Sequence, residues 1–127
     1  MHNILLVEDN LNNIRLVEQM LEDFSEDTKT DIHLVKALNG REALEKAEAY
    51  KYSLILMDIS LPDMDGVTTM KNMRKFSSLQ DTPIIAATAH AMTYDEELFR
   101  GVFDDYIAKP IDEGLFTEVI TKWLGEN

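Results

Sequence analysis

The sequence predicts an α/β fold in which helices cover both faces of a parallel sheet. Short apolar runs alternate five times with longer segments in which apolar residues recur at helical spacing. Such alternation is typical of parallel strands joined by right-handed crossovers. Several of the short runs are continuously apolar, which indicates strands buried on both faces.

The composition fits one globular domain spanning residues 1–127, because 127 residues with 45% hydrophobic content can bury a single core. Without cysteine, a disulfide framework, a thiol nucleophile and a zinc–thiolate site are all excluded. The net charge of −12 argues against a nucleic-acid binder and favours divalent cations and basic partners. No segment resembles a signal peptide or a membrane span, so we expect a cytoplasmic protein with no membrane partner.

The first strand is predicted over Asn3–Val7, a short apolar run that two acids cut off. A helix with an apolar stripe follows from Leu11 to Phe24. Ser25–Asp31 is polar without a period and is predicted to be a surface loop. Ile32–Ala37 is less continuously apolar, which places the second strand at a sheet edge. A helix over Arg41–Tyr50 follows an Asn-Gly turn.

The third strand, Leu54–Asp58, is an apolar run that ends abruptly on a carboxylate and is followed by turn residues. The remaining elements follow the same alternation, although the helical stripe between the last two strands is only partial. They are a helix from Val67 to about Phe76, a strand over Ile84–Thr88, a helix over Thr93–Arg100, a strand over Asp105–Ala108 and a helix over Leu115–Leu124.

Polar residues follow or end four of the predicted strands, namely Glu8, Asp9, Asp58, Thr88 and Lys109. Carboxyl ends of parallel strands share one sheet edge, so these side chains can converge on one crevice. Carboxylates 4 Å apart repel by about 4 kcal/mol at an effective dielectric of about 20, so a cation is expected among them. An all-oxygen donor set favours Mg²⁺.

This set of groups is suited to phosphoryl transfer. Carboxylates act as covalent nucleophiles towards phosphorus, which makes Asp58 the candidate acceptor. A metal ion and Lys109 would stabilise the charge on the transferred group. Thr88 could hydrogen-bond a phosphoryl oxygen and so link the chemistry to a conformational change.

Five motifs, in this order, make the chain resemble the receiver domain of two-component response regulators. The resemblance covers essentially the whole chain. The motifs are Val7-Glu8-Asp9-Asn10, Leu56-Met57-Asp58, Leu61-Pro62-Asp63-Met64-Asp65-Gly66, Thr88-Ala89 and Tyr106-Ile107-Ala108-Lys109-Pro110.

The resemblance implies a flavodoxin-like receiver with five helices and strand order 2-1-3-4-5. It also implies a role for each matching residue: Asp58 as phosphoacceptor, Glu8, Asp9, Asp58 and the Ser60 carbonyl as Mg²⁺ ligands, Thr88 and Tyr106 as the switch pair, Lys109 as the phosphoryl contact, and a cis bond before Pro110.

The form Glu8-Asp9-Asn10 with Asn13 is similar to receivers that work with hybrid histidine kinases and histidine phosphotransfer domains. The resemblance therefore implies a phosphorelay receiver, with a partner surface on the first helix near Asn13, Ile14 and Val17. Because the sequence stops after the fifth predicted helix, we expect a stand-alone receiver. The segment from Phe24 to Asp31 is longer than is usual in this family.

Three other functions are weighed against a signalling receiver that catalyses its own phosphorylation and dephosphorylation. An aspartate-nucleophile phosphatase typically has an acid two residues after the nucleophile, where this chain has Ser60. An unphosphorylated interaction module is disfavoured by the intact set of acids, threonine and lysine. A dinucleotide enzyme is disfavoured because no G-x-G-x-x-G follows the first strand.

Overall fold

The computed structural model describes residues 2–59, 66–88 and 103–124, which form one parallel sheet flanked by helices. The strands run in the order β2-β1-β3-β4-β5, so the predicted fold class and strand order are confirmed. Their bounds are β1 His2–Val7, β2 Ile32–Ala37, β3 Leu54–Asp58, β4 Ile84–Thr88 and β5 Asp105–Ala108. The edge position predicted for β2 is also confirmed.

Four α-helices lie in the described part of the chain, together with a short 3₁₀ helix over Ser77–Leu79. The α-helices are α1 Leu11–Thr28, α2 Gly40–Lys46, α3 Gly66–Met73 and α4 Glu113–Leu124. The predicted helix over Thr93–Arg100 lies outside the described residues. Within those residues, no helix combines the length and apolarity needed to cross a bilayer.

Helix α1 is one turn longer than predicted. Asn10 caps its start, since the Asn10 side chain accepts a hydrogen bond from the Asn13 backbone N–H at 3.0 Å. The helix continues to Thr28 and ends at Lys29, which adopts the left-handed conformation with φ 54°. The loop predicted over Ser25–Asp31 was therefore wrong for its first four residues, which are polar because that turn extends beyond the core.

Helix α2 is shorter than predicted and ends at Lys46 instead of Tyr50. The Lys46 carbonyl accepts a hydrogen bond from the Tyr52 hydroxyl at 2.7 Å and another from the Ala49 N–H at 3.1 Å. The chain therefore turns at Lys46 and approaches β3 through a tight turn. The spacing of apolar residues in this segment does not predict that turn.

Each sheet face packs against its own pair of helices, and successive strand residues alternate between two buried clusters. Leu5, Ile55 and Met57 face α2 and α3, whereas Leu6 and Leu56 face α1 and α4. Met20, Met70 and Met73 are buried in these clusters. The core thus fixes the central strands β1 and β3 on both faces, which holds their carboxyl ends rigidly side by side.

Candidate functional site

The site lies where β1 and β3 end next to each other. The two strands pair in parallel with Val7 opposite Met57, so Glu8 and Asp58 follow at the same level of the sheet. The Glu8 N–H donates to the Ala37 carbonyl at 2.9 Å, which continues the pairing of β1 with β2 past the end of the strand. Both side chains are buried, with 3% of Glu8 and 5% of Asp58 exposed.

Lys109 brings a positive charge to these two acids from the end of the edge strand β5. It directly follows β5, and its Nζ lies 2.9 Å from Glu8 Oε1 and 3.2 Å from Asp58 Oδ2. The lysine side chain is itself largely buried. One ammonium group is therefore shared by two buried carboxylates, which leaves one negative charge uncompensated by Lys109.

The pKa values of Glu8 and Lys109 reflect that imbalance. Burial raises the pKa of Glu8, and the charge of Asp58 acts in the same direction against the hydrogen bond from Lys109. Burial opposes the charge on Lys109, but the hydrogen bond and charge of Glu8, together with Asp58, outweigh it and raise the lysine pKa. The lysine stays protonated, and the pair of acids favours an additional cation.

Glu8, Asp9 and Asp58 fit a hard cation. Each of them offers one carboxylate oxygen, and these three oxygens lie within 4.8 Å of one another. Mg²⁺ binds oxygen at about 2.1 Å, so ligands on opposite sides of one ion are about 4 Å apart, and small side-chain movements complete the set. Asp9 is exposed and open to solvent, whereas the other two acids form the floor of the site.

The Asn10 backbone supports Glu8 from the side opposite Lys109. Its N–H donates to Glu8 Oε2 at 3.2 Å, while its side chain caps α1. No pattern in the sequence indicates this contact. Beneath the acids, the space between Glu8, Asp58 and the core is a cavity of only about 10 Å³, so the carboxylates have no room to withdraw.

The remaining predicted site residues are placed as follows. Thr88 ends β4 and pairs with Ala108 of β5, but its side chain lies outside the described residues, as does Ser60. Tyr106 lies on β5 with 40% of its surface exposed. The peptide bond between Lys109 and Pro110 is cis.

The partner surface expected on α1 needs a correction. Ile14 and Val17 are 5% and 2% exposed and pack into the core, so they cannot contact a partner. They belong to the apolar stripe that faces the sheet. The exposed face of the same helix carries Leu11 and Arg15 instead, and Leu11 is 62% exposed.

Comparison with known proteins agrees with this geometry. Residues 4–121 match the family model of the response regulator receiver domain. The polar-differentiation response regulator DivK from Brucella anthropi is 38% identical over 125 residues, which cover 98% of this chain and 97% of that protein. The signal transduction histidine-protein kinase BarA from Escherichia coli is 39% identical over 111 residues, which cover 87% of this chain and only 11% of the kinase.

Solved structures give the same result. The receiver domain of sensor histidine kinase PA1611 from Pseudomonas aeruginosa, described with magnesium coordinated in its active-site cleft, superposes with a TM-score of 0.85 at 33% identity and covers 98% of both chains. The chemotaxis response regulator CheY4 of Vibrio cholerae superposes with a TM-score of 0.84, covering 96% of this chain and 98% of its own, and at 24% identity it supports the fold alone.

Proposed function

We propose that this chain, which belongs to the response regulator receiver domain family, accepts a phosphoryl group from a phosphohistidine donor onto Asp58. The contact that supports this most directly is the Lys109 ammonium, held within 3.2 Å of both Glu8 and Asp58. It places a fixed positive charge beside a buried carboxylate at the carboxyl edge of the sheet. We infer a cytoplasmic signalling role, with residues 1–127 acting as one receiver domain.

In the proposed reaction, a carboxylate oxygen of Asp58 attacks phosphorus, and the P–N bond of the phosphohistidine breaks as the P–O bond forms. The imidazole leaves with the bonding electron pair. Lys109 is positioned to stabilise the negative charge on the transferred oxygens, and Glu8 keeps the lysine protonated. Water attacking the same phosphorus would return Asp58 to its free form, which is the dephosphorylation we propose for this chain.

Glu8, Asp9 and Asp58 are the residues that would hold Mg²⁺. When bound, the ion would offset the charge of the acids and of the phosphoryl oxygens. The chain's own residues supply the rest: Asn10 and Lys109 orient Glu8 from two sides, and the core leaves a cavity of only about 10 Å³ beneath the acids. Magnesium in the cleft of the related Pseudomonas aeruginosa domain supports this assignment.

Incubation with Mg²⁺ and acetyl phosphate tests the proposed acceptor. Intact-mass measurement should find one added phosphoryl group on the wild type and none on Asp58→Ala. Asp81→Ala is a matched control, because Asp81 is an exposed acid in the loop before β4, away from the carboxyl ends of the strands. Labelling of Asp58→Ala, or repeated turnover of phosphate monoesters by the wild type, would contradict the proposal.

The proposed donor is a histidine kinase or a histidine phosphotransfer domain, and we propose that it docks on the exposed start of α1. Leu11 lies two residues after Asp9, so a partner bound there would be next to the acids. The donor for this test is a phosphorylated histidine phosphotransfer domain that labels the wild type. Leu11→Glu should lower the rate of transfer from that donor about tenfold, as the loss of an apolar anchor does at interfaces.

Acetyl phosphate separates docking from chemistry in that experiment, because this small donor needs no protein surface. Leu11→Glu should be labelled by acetyl phosphate at the wild-type rate. Leu38→Glu serves as control, since Leu38 is 43% exposed but follows β2 instead of lying on α1. Equal losses with both donors would show that the substitution damages the site and not a docking surface.

A further inference from the structure

The position of Lys109 depends on a short strand at the edge of the sheet, which also contacts α4 through the hydrogen bond from Trp123 Nε1 to Asp105 Oδ2 at 2.9 Å. Strand β5 has four residues, lies at the edge of the sheet and, among the strands that the structure describes, pairs with β4 alone. A slip of one residue in this pairing would move Lys109 by about 3.3 Å and turn its side chain to the other face. Contacts of 2.9 and 3.2 Å to the two acids would not survive such a slip.

Asp104 fixes the start of β5 through both its backbone and its side chain. Its N–H donates to the Ile84 carbonyl at 2.9 Å, and its Oδ2 accepts a hydrogen bond from the Ile84 N–H at 2.8 Å. Both backbone groups of the first residue of β4 are therefore bound by one residue. This double contact defines the register from which the rest of the β4–β5 pairing follows.

Arg74, just past the end of α3, holds Asp104 in place. Its Nη2 donates to the same Asp104 Oδ2 at 2.8 Å. Its Nη1 lies 2.7 Å from the carbonyls of Leu79 and Thr82 and 3.2 Å from that of Gln80. The guanidinium is thus anchored by backbone carbonyls before β4, and only a planar, multiply donating group can make all these contacts together.

We infer that Arg74 and Asp104 are positioning residues for Lys109. They set the register of β5 at the amino ends of β4 and β5, and the register in turn places the Lys109 ammonium beside Glu8 and Asp58. This inference rests on the proposed function. Asp104 and Lys109 are five residues apart, a span of about 16 Å for an extended chain, so neither positioning residue touches the reacting groups. The metal-ligating acids come from β1 and β3 instead.

That division of labour gives the test, because Arg74→Ala should displace Lys109 while the three acids keep their places after β1 and β3 and Asn10 still holds Glu8. At saturating Mg²⁺ the initial rate of labelling by acetyl phosphate should fall roughly 10- to 100-fold, as expected for a reacting group displaced by about 1 Å. The Kd for Mg²⁺, measured by titration without acetyl phosphate, should not rise, because moving the ammonium away from Glu8 and Asp58 removes a positive charge that opposes the ion. Asp104→Asn should reproduce this split and replaces Arg74→Ala if that variant does not fold.

Arg41→Ala is the matched control, since Arg41 is an exposed arginine on α2 whose Nε lies 3.7 Å from Glu45 Oε1. It should change neither quantity. An unchanged labelling rate in Arg74→Ala, or a parallel loss of Mg²⁺ affinity in both variants, would overturn the inference. A wild type that takes no phosphoryl group would instead overturn the proposed function.

Discussion

Lys109 illustrates how one side chain can determine the chemistry of two others. It is the only cation that the structure describes in contact with both Glu8 and Asp58. The single ammonium compensates one of the two buried charges, so the remaining charge creates the demand for a further cation. An apolar residue in place of Lys109 would leave two buried acids facing each other without a cation, which would destabilise the fold.

Tyr52 has a testable dependence on pH. Burial, helped by Tyr50, raises the pKa of Tyr52 from 10.0 to about 12. Below pH 10 the folded and unfolded chains both keep the proton; between pH 10 and 12 only the folded chain does, so stability falls as the pH rises. The loss from this group should be about 1 kcal/mol at pH 11, because one pKa unit corresponds to about 1.4 kcal/mol.

Urea unfolding of Tyr52→Phe at pH 8 and pH 11 isolates that contribution. At pH 8 the variant should be about 1 kcal/mol less stable, because the hydrogen bond to the Lys46 carbonyl is lost. At pH 11 the difference should nearly vanish, since phenylalanine does not titrate. Tyr106→Phe, on the exposed strand β5, is the control, and a constant difference for Tyr52→Phe would refute the prediction.

Helix α1 ends on a lysine, Lys29, at a position whose backbone conformation favours glycine. Lys29 adopts φ 54° and ψ 41°, a region that costs an L-residue about 1–2 kcal/mol and glycine almost nothing. Lys29→Gly should therefore stabilise the fold by about 0.5–1 kcal/mol. The thermal midpoint should rise, and a fall would show that the side chain of this exposed lysine contributes more than its backbone strain costs.

Lys71→Gly is the matched control, since Lys71 is also exposed but lies inside α3. There the same substitution should destabilise by about 1 kcal/mol, because glycine loses more conformational freedom in a helix than lysine does. Opposite signs for one chemical change would confirm that backbone conformation decides the outcome. Equal signs would indicate a general effect of removing a lysine charge.

The elements that the sequence predicted best are the strands, and the reason is physical. A central strand such as Leu54–Asp58 is buried on both faces, so its residues are apolar without interruption. Helix ends were predicted less well, because α2 stops where the hydroxyl of Tyr52, six residues further along the chain, binds its last carbonyl. A contact of that kind leaves no pattern in the segment that it ends.

Across the whole molecule, the convergence of Glu8, Asp58 and Lys109 could be predicted because parallel strands place their carboxyl ends at one edge. The Arg74–Asp104 contact could not be, because Arg74 follows a helix, and no pattern in the sequence shows where a side chain beyond a helix end meets the sheet. The partner surface at Ile14 failed for another reason. Helical periodicity shows which residues share a face, and here that face was the core.

Binding of a divalent cation should appear as a property of the whole fold, because Glu8 and Asp58 meet only when β1 and β3 are paired. A ligand that binds only the folded chain stabilises it, by about 1.4 kcal/mol at ten times its Kd. For a domain of this size the melting temperature should then rise by about 3–6 °C. Asp58→Asn should lose most of this shift, since one of the three carboxylates is gone.

The net charge of −12 requires a control for that measurement, because any salt reduces repulsion among surface acids. Sodium chloride at the same ionic strength should give a smaller shift in the wild type, and Asp58→Asn should respond alike to both salts. Asp81→Asn removes an acid in the loop before β4 and should keep the full response to Mg²⁺. If magnesium and sodium stabilise the wild type equally, the three acids do not form a cation site, and the phosphoryl chemistry proposed for Asp58 loses its metal.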